Sequence, residues 1–224
     1  MQEYKTKKDS IYEILKEEIY DCKYKFGEKL VISHLAKRFN TSEIPVREAL
    51  NQLSADDLIE FKPHVGAVVK PLSPKDIRNI FELRVELEGL ATRLAAEHLE
   101  EEHFKQLRAI LDESKDAFKE KDYARFETLN VDFHMGIYRH SDNQLLVKTI
   151  EELWKNTRRY PSLFNQNDEH IKLSIQEHED IFNALLRKDG TLAENIMLKH
   201  KARAGKEILR ITQHDFYMNL TDSS

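Results

Sequence analysis

The spacing of apolar residues separates an early stretch of short elements from a later stretch of long helices. Up to residue 70, apolar positions recur every three or four residues in three short stretches, which predict three short helices. These helices are expected over residues 10–20, 32–39 and 45–56. Two further stretches, 58–62 and 67–70, flank Pro63-His64-Val65-Gly66 and predict a β-hairpin. Two helices joined by a tight turn and followed by a hairpin outline a winged helix-turn-helix.

From Ser73 onward the pattern is almost continuously helical. Ser73-Pro74 reads as an N-cap followed by proline at the first helical position. Six helices are expected over residues 73–100, 103–120, 123–140, 143–160, 168–188 and 191–213. Because the breaks between them are short, neighbouring helices should run antiparallel in a bundle. The predicted fold is mainly α, with a winged helix-turn-helix over residues 1–71 and an all-α antiparallel helical bundle over residues 72–224.

Composition and charge exclude several classes of protein. The 224 residues carry a net charge of -5, all of it after residue 70, since the first part is neutral. The single cysteine, Cys22, excludes an internal disulfide framework and a cysteine-rich zinc module. No apolar run approaches the roughly 18 residues of a membrane span, and no hydrophobic signal segment follows the polar N-terminus. We therefore expect a cytoplasmic protein without membrane association.

A winged helix would place the third helix of the first part in the major groove of DNA. Arg47 on that helix can pair with guanine through two hydrogen bonds or hold a phosphate. The candidate DNA contacts are Lys37, Arg38, Ser42, Glu43, Arg47, Gln52, Lys62, His64 and Gly66. The pattern leaves a second interpretation open, a small helical subdomain with ordinary surface charges.

Four polar residues of the later helices share positions that suit a metal ion. Asn130 and His134 lie four residues apart and therefore on one helix face. His178 and His200 are equally distant from the turn at Asp189-Gly190, so both should lie about 16 Å from it on facing helices. Three imidazoles and an amide oxygen can bind a divalent ion such as zinc, nickel, manganese or cobalt. The alternative is that each histidine is only a buried polar residue.

The early motifs resemble the DNA-binding domain of GntR-type transcription regulators. The matching segments are Gly27-Glu28-Lys29-Leu30, Leu35-Ala36-Lys37-Arg38-Phe39, Thr41-Ser42-Glu43-Ile44-Pro45-Val46-Arg47-Glu48-Ala49-Leu50, Leu53, Leu58-Ile59 and Gly66. The resemblance covers almost all of residues 10–70. The family often has arginine where this chain has Glu43. An acid repels phosphate but accepts a hydrogen bond from cytosine N4, so an operator sequence cannot be carried over from relatives.

The later helices resemble the FCD effector domain of FadR-like GntR regulators over residues 75–215. The matching positions are Arg84 with Glu88, Phe133-His134, Asp142-Asn143, His178, Ala184-Leu185, Ala193 and His200. In many members an Asp, less often an Asn, joins three histidines around a metal. The resemblance therefore implies Asn130, His134, His178 and His200 as ligands, with weaker binding because Asn130 lacks a charge.

The resemblance also implies that Arg84 faces the effector, where a buried guanidinium would select a carboxylate. The alternative for this arginine is an ion pair with Glu88, one turn away. Together these features indicate a ligand-responsive repressor that binds double-stranded operator DNA as a homodimer. Its effector would be a small organic acid, held through a divalent metal, with zinc favoured over nickel or manganese.

Two rival functions remain from the sequence. A helical metal-dependent hydrolase could use the histidine cluster to activate water, but no general base is evident beside the ligands and residues 10–70 would be unexplained. The other rival is a DNA-binding protein whose histidines are purely structural. We therefore expect no enzymatic activity.

Overall fold

A computed structural model describes residues 5–71, 73–157, 159, 162–164 and 167–221, with side chains up to Thr212 except that of Thr157. The chain divides into two compact units between Ser73 and Pro74. Within the described ranges, no helix is both long enough and apolar enough to cross a bilayer.

The first unit contains three helices followed by one hairpin. The elements are α1 (Lys7–Tyr20), α2 (Ile32–Arg38), α3 (Glu43–Ala55), β1 (Ile59–Lys62) and β2 (Gly66–Val69). Helix α1 begins three residues before the predicted start because Thr6 and Asp9 form a capping box. The two strands pair antiparallel, with Ile59 opposite Val69. This order confirms the winged helix-turn-helix.

The core of the first unit fixes α3 against α1. Leu15 of α1 and Val46, Leu50 and Leu53 of α3 have no exposed surface, and their faces meet inside the unit. Burying side chains of this size stabilises the fold by roughly 1.5–3 kcal/mol each. The opposite face of α3 is left exposed, so the core determines which residues it can present to a partner.

The turn between β1 and β2 requires unusual backbone angles. His64 has φ 62° and Gly66 has φ 102°, both in the left-handed region. Glycine reaches this region without steric cost, which explains its place at the end of the turn. Lys29 also forms an isolated bridge with Val68, a pairing that the sequence pattern did not predict because so short a contact shows no alternation.

The second unit is built from helices alone among its described residues. They are α4 (Pro74–His98), α5 (Glu101–Lys119), α6 (Tyr123–Tyr138), α7 (Gln144–Thr157), α8 (Asp168–Leu186) and α9 (Gly190–Thr221). Helix α4 begins at Pro74 as predicted, whereas α9 continues past the predicted end at residue 213.

Helix α9 packs along α4 and α8, and α5 packs on α6. Two glycines permit the close approach of α4 and α9. A Cβ at Gly205 would lie 2.8 Å from the ring of Phe81, and one at Gly89 would lie 2.8 Å from Leu198. Side chains from α4, α6, α8 and α9 therefore meet at one place inside the second unit.

Candidate metal centre and DNA-binding surface

Three histidines from three helices converge in the interior of the second unit. His134 of α6, His178 of α8 and His200 of α9 are all buried, and each offers a ring nitrogen within 4.8 Å of the others. The Nε2 atom of His134 lies 3.2 Å from Nε2 of His178 and 3.2 Å from Nε2 of His200. The structure thus brings together the three histidines that the sequence selected.

The tautomer of His134 follows from the groups on its other side. The hydroxyl of Tyr138 lies 2.5 Å from Oε2 of Glu88 and 3.2 Å from Nδ1 of His134. The hydroxyl donates its single proton to the Glu88 carboxylate, so it can only accept from the imidazole. His134 therefore carries its proton on Nδ1, and its Nε2 bears a lone pair.

The tautomer of His200 is determined in the same way by a carboxylate. Nδ1 of His200 lies 2.6 Å from Oε2 of Glu177. Burial alone would raise the pKa of Glu177, but hydrogen bonds from His200 and Arg203 outweigh it and lower that pKa to about 2. An ionised carboxylate only accepts, so Nδ1 of His200 donates and its Nε2 also bears a lone pair.

The lone pairs of His134 and His200 therefore lie 3.2 Å apart, and Nε2 of His178 lies 3.2 Å from that of His134, so a proton on His178 or a metal ion can occupy the space between the rings. Burial disfavours the proton: it lowers the pKa of His134 and His178 well below 6.5 and that of His200 to about 4. Neutral imidazoles with inward lone pairs are the form that binds a divalent metal. The residues present fit such an ion.

Glu177 is itself held in place by a second layer of contacts. Arg203 donates from Nε to Oε1 of Glu177 at 2.9 Å and from Nη2 to Oε2 at 2.6 Å. The same guanidinium contacts Ser174 at 3.0 Å and Nδ1 of His170 at 2.8 Å. Such outer contacts orient ligand histidines in metal sites.

Next to the histidines, Glu88 is buried between two cations. Nε of Arg84 lies 2.6 Å from Oε1 of Glu88, and Nζ of Lys201 lies 3.0 Å from Oε2. Burial alone would raise the pKa of Glu88, but the two cations outweigh it and lower the pKa to about 2. Burial lowers the pKa of Lys201 to about 7, partly opposed by Glu88.

A cavity of about 120 Å³ opens beside this cluster, lined by Arg84, Asn130, Trp154, His200 and Lys201 among others. The Arg84 guanidinium and the Lys201 ammonium lie 4.4 Å and 4.6 Å from the centre of the Trp154 ring. Arg84 therefore agrees with both interpretations that the sequence left open, because it pairs with Glu88 and also lines the cavity.

Three residues around the histidines were not anticipated from the sequence. Glu177 directly precedes one predicted ligand in the chain, and Lys201 directly follows another. Tyr138 lies four residues after His134. Adjacency of Glu177 to His178 was the only signal for its role, and it points to the wrong histidine, because Glu177 contacts His200. Helix pairing alone decides that contact.

In the first unit, α3 exposes a glutamate and an arginine near its start. Nη2 of Arg47 lies 2.9 Å from Oε2 of Glu43, one turn away, and both side chains are about half exposed or more. Ser42 occupies the N-cap position of α3, and Gln52 is half-buried further along. Arg47 and Glu43 are therefore both presented on the exposed side of α3, and their contact with base edges stays a prediction.

The remaining candidate DNA contacts lie outside α3. Lys37 and His64 are exposed, Gly66 is half-buried, and Lys62 pairs with Glu60 at 3.2 Å. Both Nη atoms of Arg38 donate to Glu18, at 2.7 Å and 2.6 Å, so Arg38 ties α2 to α1. A phosphate contact by Arg38 would compete with this pair, and its role in DNA binding stays a prediction.

Comparison with known proteins covers both units. The family described as "Bacterial regulatory proteins, gntR family" matches residues 7–69, and the FCD domain matches residues 79–203. The HTH-type transcriptional repressor RspR of Escherichia coli (strain K12) is 30% identical over 205 residues, covering 92% of this chain and 90% of that protein.

Two further similarities agree with this family. The HTH-type transcriptional regulator LutR of Bacillus subtilis (strain 168) is 32% identical over 202 residues, covering 78% of this chain and 88% of LutR. The solved structure of E. coli McbR/YncC superposes with a TM-score of 0.70 at 24% identity, covering 93% of this chain and 99% of that one. With its winged helix, its helical unit and these relatives, the chain belongs to the GntR family of DNA-binding transcription regulators and carries an FCD domain, which places it among regulators and not among enzymes.

Proposed function

We propose that this regulator is a homodimeric repressor whose helical unit binds a divalent metal, zinc in the first instance, and a small organic acid on that metal. His134, His178, His200 and Asn130 would hold the ion. Arg84 would hold a carboxylate of the acid. The ion would supply Lewis acidity and positive charge that draw the carboxylate into the cavity.

One observation carries the metal part of this proposal. The protons of His134 and His200 are directed outward to Tyr138 and Glu177, so two lone pairs meet at 3.2 Å in a buried place. A purely structural cluster would place a proton between each pair of neighbouring rings, whereas here the contact between His134 and His200 has none and Nε2 of His178 is left to carry one. In metal sites, a ligand histidine commonly donates its other ring N–H to an outer acceptor, as His134 and His200 do here.

The acid part rests on where Arg84 lies. Its guanidinium is 5% exposed, lines the same cavity as Asn130 and His200, and is aligned by Glu88. A guanidinium is the side chain best suited to hold a carboxylate, because its fork of N–H groups matches the two oxygens. Zinc can expand from four ligands to five, so three imidazoles and one amide would still admit a carboxylate oxygen of the acid.

The DNA part rests on the exposed start of α3. A dimer would place two α3 helices in successive major grooves, so the operator should be a near-palindrome with half-sites about one helical turn apart. The repressor assignment follows the name of the RspR relative. A regulator of this kind acts on chromosomal DNA, so its place of action would be the cytoplasm.

The test starts from unbiased operator selection. Untagged protein is incubated with sheared source-genome DNA, and the bound fragments are sequenced to obtain the operator. Operator affinity is then measured by fluorescence anisotropy with zinc alone and with zinc plus organic acids. We expect at least one acid to change the affinity about 5-fold or more, the lower end of typical allosteric coupling.

Two results would overturn the proposal. Recovery of no near-palindrome would contradict the DNA part. An operator affinity that is the same with zinc, with chelator and with every acid would contradict the metal and effector parts. A variant with His134→Ala and His178→Ala should lose the response, while His98→Ala, which removes an exposed histidine, should retain it.

A further inference from the structure

We propose that the effector carries two carboxylates and that Lys201 binds the second one. This inference rests on the proposed function, because it takes the metal and Arg84 as the site of the first carboxylate. It adds a residue that neither the sequence motifs nor the comparisons assign, and it narrows the effector from organic acids in general to compact dicarboxylates.

The charges around the cavity favour a doubly charged acid. When Lys201 carries its proton, Arg84 and Lys201 bring two positive charges and Glu88 brings one negative charge, all of them buried. Asn130 and the histidines are uncharged, so a divalent ion would raise the buried excess to three positive charges. A monocarboxylate would leave two of these uncompensated and a dicarboxylate only one. Uncompensated buried charge is costly, so the second carboxylate is favoured.

Two other acids near the site do not change this balance. Glu177 contacts His200 but is paired with Arg203 through three hydrogen bonds, so it adds no net charge. Glu127 also lines the cavity, yet its side chain is exposed and its charge is screened by solvent.

Glu88 would have hydrogen-bond partners even without Lys201. Glu88 already receives hydrogen bonds from Arg84 and from Tyr138. Burying an ammonium group is expensive, and an apolar side chain of the same length would fill the position without that cost. An ammonium has three N–H donors, and the contact with Glu88 at 3.0 Å occupies one of them. Its place in the cavity lining leaves the group able to serve a ligand.

The size of the cavity favours a compact acid. Its volume is about 120 Å³, on the scale of a four- or five-carbon diacid and not of a long acyl chain. Phe81, Val131 and Trp154 are among the apolar side chains of the lining that such a carbon chain would contact.

Matched acid pairs test this inference on the whole protein. Each pair differs only in a terminal carboxylate against a methyl group: malate and 2-hydroxybutyrate, succinate and butyrate, glutarate and pentanoate. Binding is measured by calorimetry on zinc-loaded protein. We expect the dicarboxylate of at least one pair to bind about 10-fold or more tightly than its partner, because a charged hydrogen bond is worth about one such factor.

Variants then assign the preference to Lys201. In Lys201→Met the ratio of affinities within that pair should fall to near one, while zinc binding and thermal unfolding confirm an intact fold. Lys199→Met, an exposed lysine on the same helix, should keep the full ratio.

The possible failures are distinguishable. If no dicarboxylate binds more tightly than its partner, or if Lys201→Met keeps the ratio, the inference is overturned and the proposed function stands. If no acid of either kind binds the zinc-loaded protein, both are overturned.

Discussion

Glu177 and His200 meet across the α8–α9 contact, with Oε2 of Glu177 2.6 Å from Nδ1 of His200. This contact decides which ring nitrogen of His200 carries the proton, and therefore that Nε2 faces His134 as a lone pair. Arg203 holds the carboxylate from the other side with three hydrogen bonds. A chain of fixed polar groups thus runs from His200 of α9 through Glu177 of α8 and back to Arg203 of α9.

Replacing Glu177 should weaken metal binding without removing a ligand. In Glu177→Gln the amide can present its NH₂ to His200 and favour the wrong tautomer. We expect zinc affinity to fall about 10- to 100-fold, the usual effect of losing an outer contact of a ligand histidine. Competition with a zinc-binding dye measures this. Glu169→Gln, an exposed glutamate on the same helix, is the control, and an equal effect of both variants would contradict the role of Glu177.

The stability of the metal-free protein should fall as the pH drops below about 6.5. Burial lowers the pKa of His200 to about 4 in the folded protein, whereas a histidine in the unfolded chain titrates near 6.5. The unfolded state therefore binds protons first, and the free energy of unfolding decreases between about pH 6.5 and 4. Urea titrations at several pH values measure it.

The carboxylates do not account for a loss in that pH window. Their pKa in the folded protein is about 2 for Glu88 and Glu177, against an ordinary value of 4.5, so their contribution is lost only below about pH 4.5. His200→Gln should make the decline between pH 6.5 and 4.5 shallower, and the remaining decline comes from groups such as His134 and His178, whose pKa values burial also lowers. An unchanged slope in this variant would show that His200 is not buried as an uncharged group.

Removing the charge of Glu88 should destabilise the helical unit strongly. Glu88→Gln leaves the cations of Arg84 and Lys201 buried without their shared anion. Breaking a buried ion pair in this way costs about 3–5 kcal/mol. Urea denaturation of the metal-free variant measures the loss. Glu86→Gln, which changes an exposed glutamate of the same helix, should cost less than about 1 kcal/mol, and similar losses in both variants would contradict the buried cluster.

Arg47→Ala should weaken specific operator binding while leaving the fold intact. Its side chain is 60% exposed and makes no core contact, so thermal unfolding should be unchanged. The loss in affinity for the operator should be about 1–3 kcal/mol if the guanidinium reads a guanine. Arg47→Lys is the informative partner variant, because it keeps the charge but not the paired hydrogen bonds. Operator affinity that is unchanged in Arg47→Ala would refute the assigned role.

The fold was predictable because the apolar spacing is regular. The three short helices, the hairpin and the six long helices all appear in the predicted order, and Pro74 starts α4 as its N-terminal position suggested. The misplaced boundaries have local causes. The capping box at Thr6 extends α1 toward the N-terminus, and no proline or glycine stops α9 near residue 213.

The histidine cluster was also predictable, since equal distances of His178 and His200 from one turn place them side by side. Its surroundings were not. The contacts of Glu177 with His200 and of Lys201 with Glu88 cross between helices. Side-chain periodicity shows which residues face inward along a helix, but it does not give the register between two helices. That register decides whether an inward glutamate meets a histidine or an arginine.

The metal content of the untagged protein is the most direct test of the histidine centre. Protein purified without added chelator is dialysed against zinc, freed of excess ion and measured by plasma mass spectrometry. We predict one zinc per chain for the unmodified protein and for His98→Ala, and none for His134→Ala combined with His178→Ala. One equivalent retained in the double variant, or none in the unmodified protein, would contradict the proposed centre.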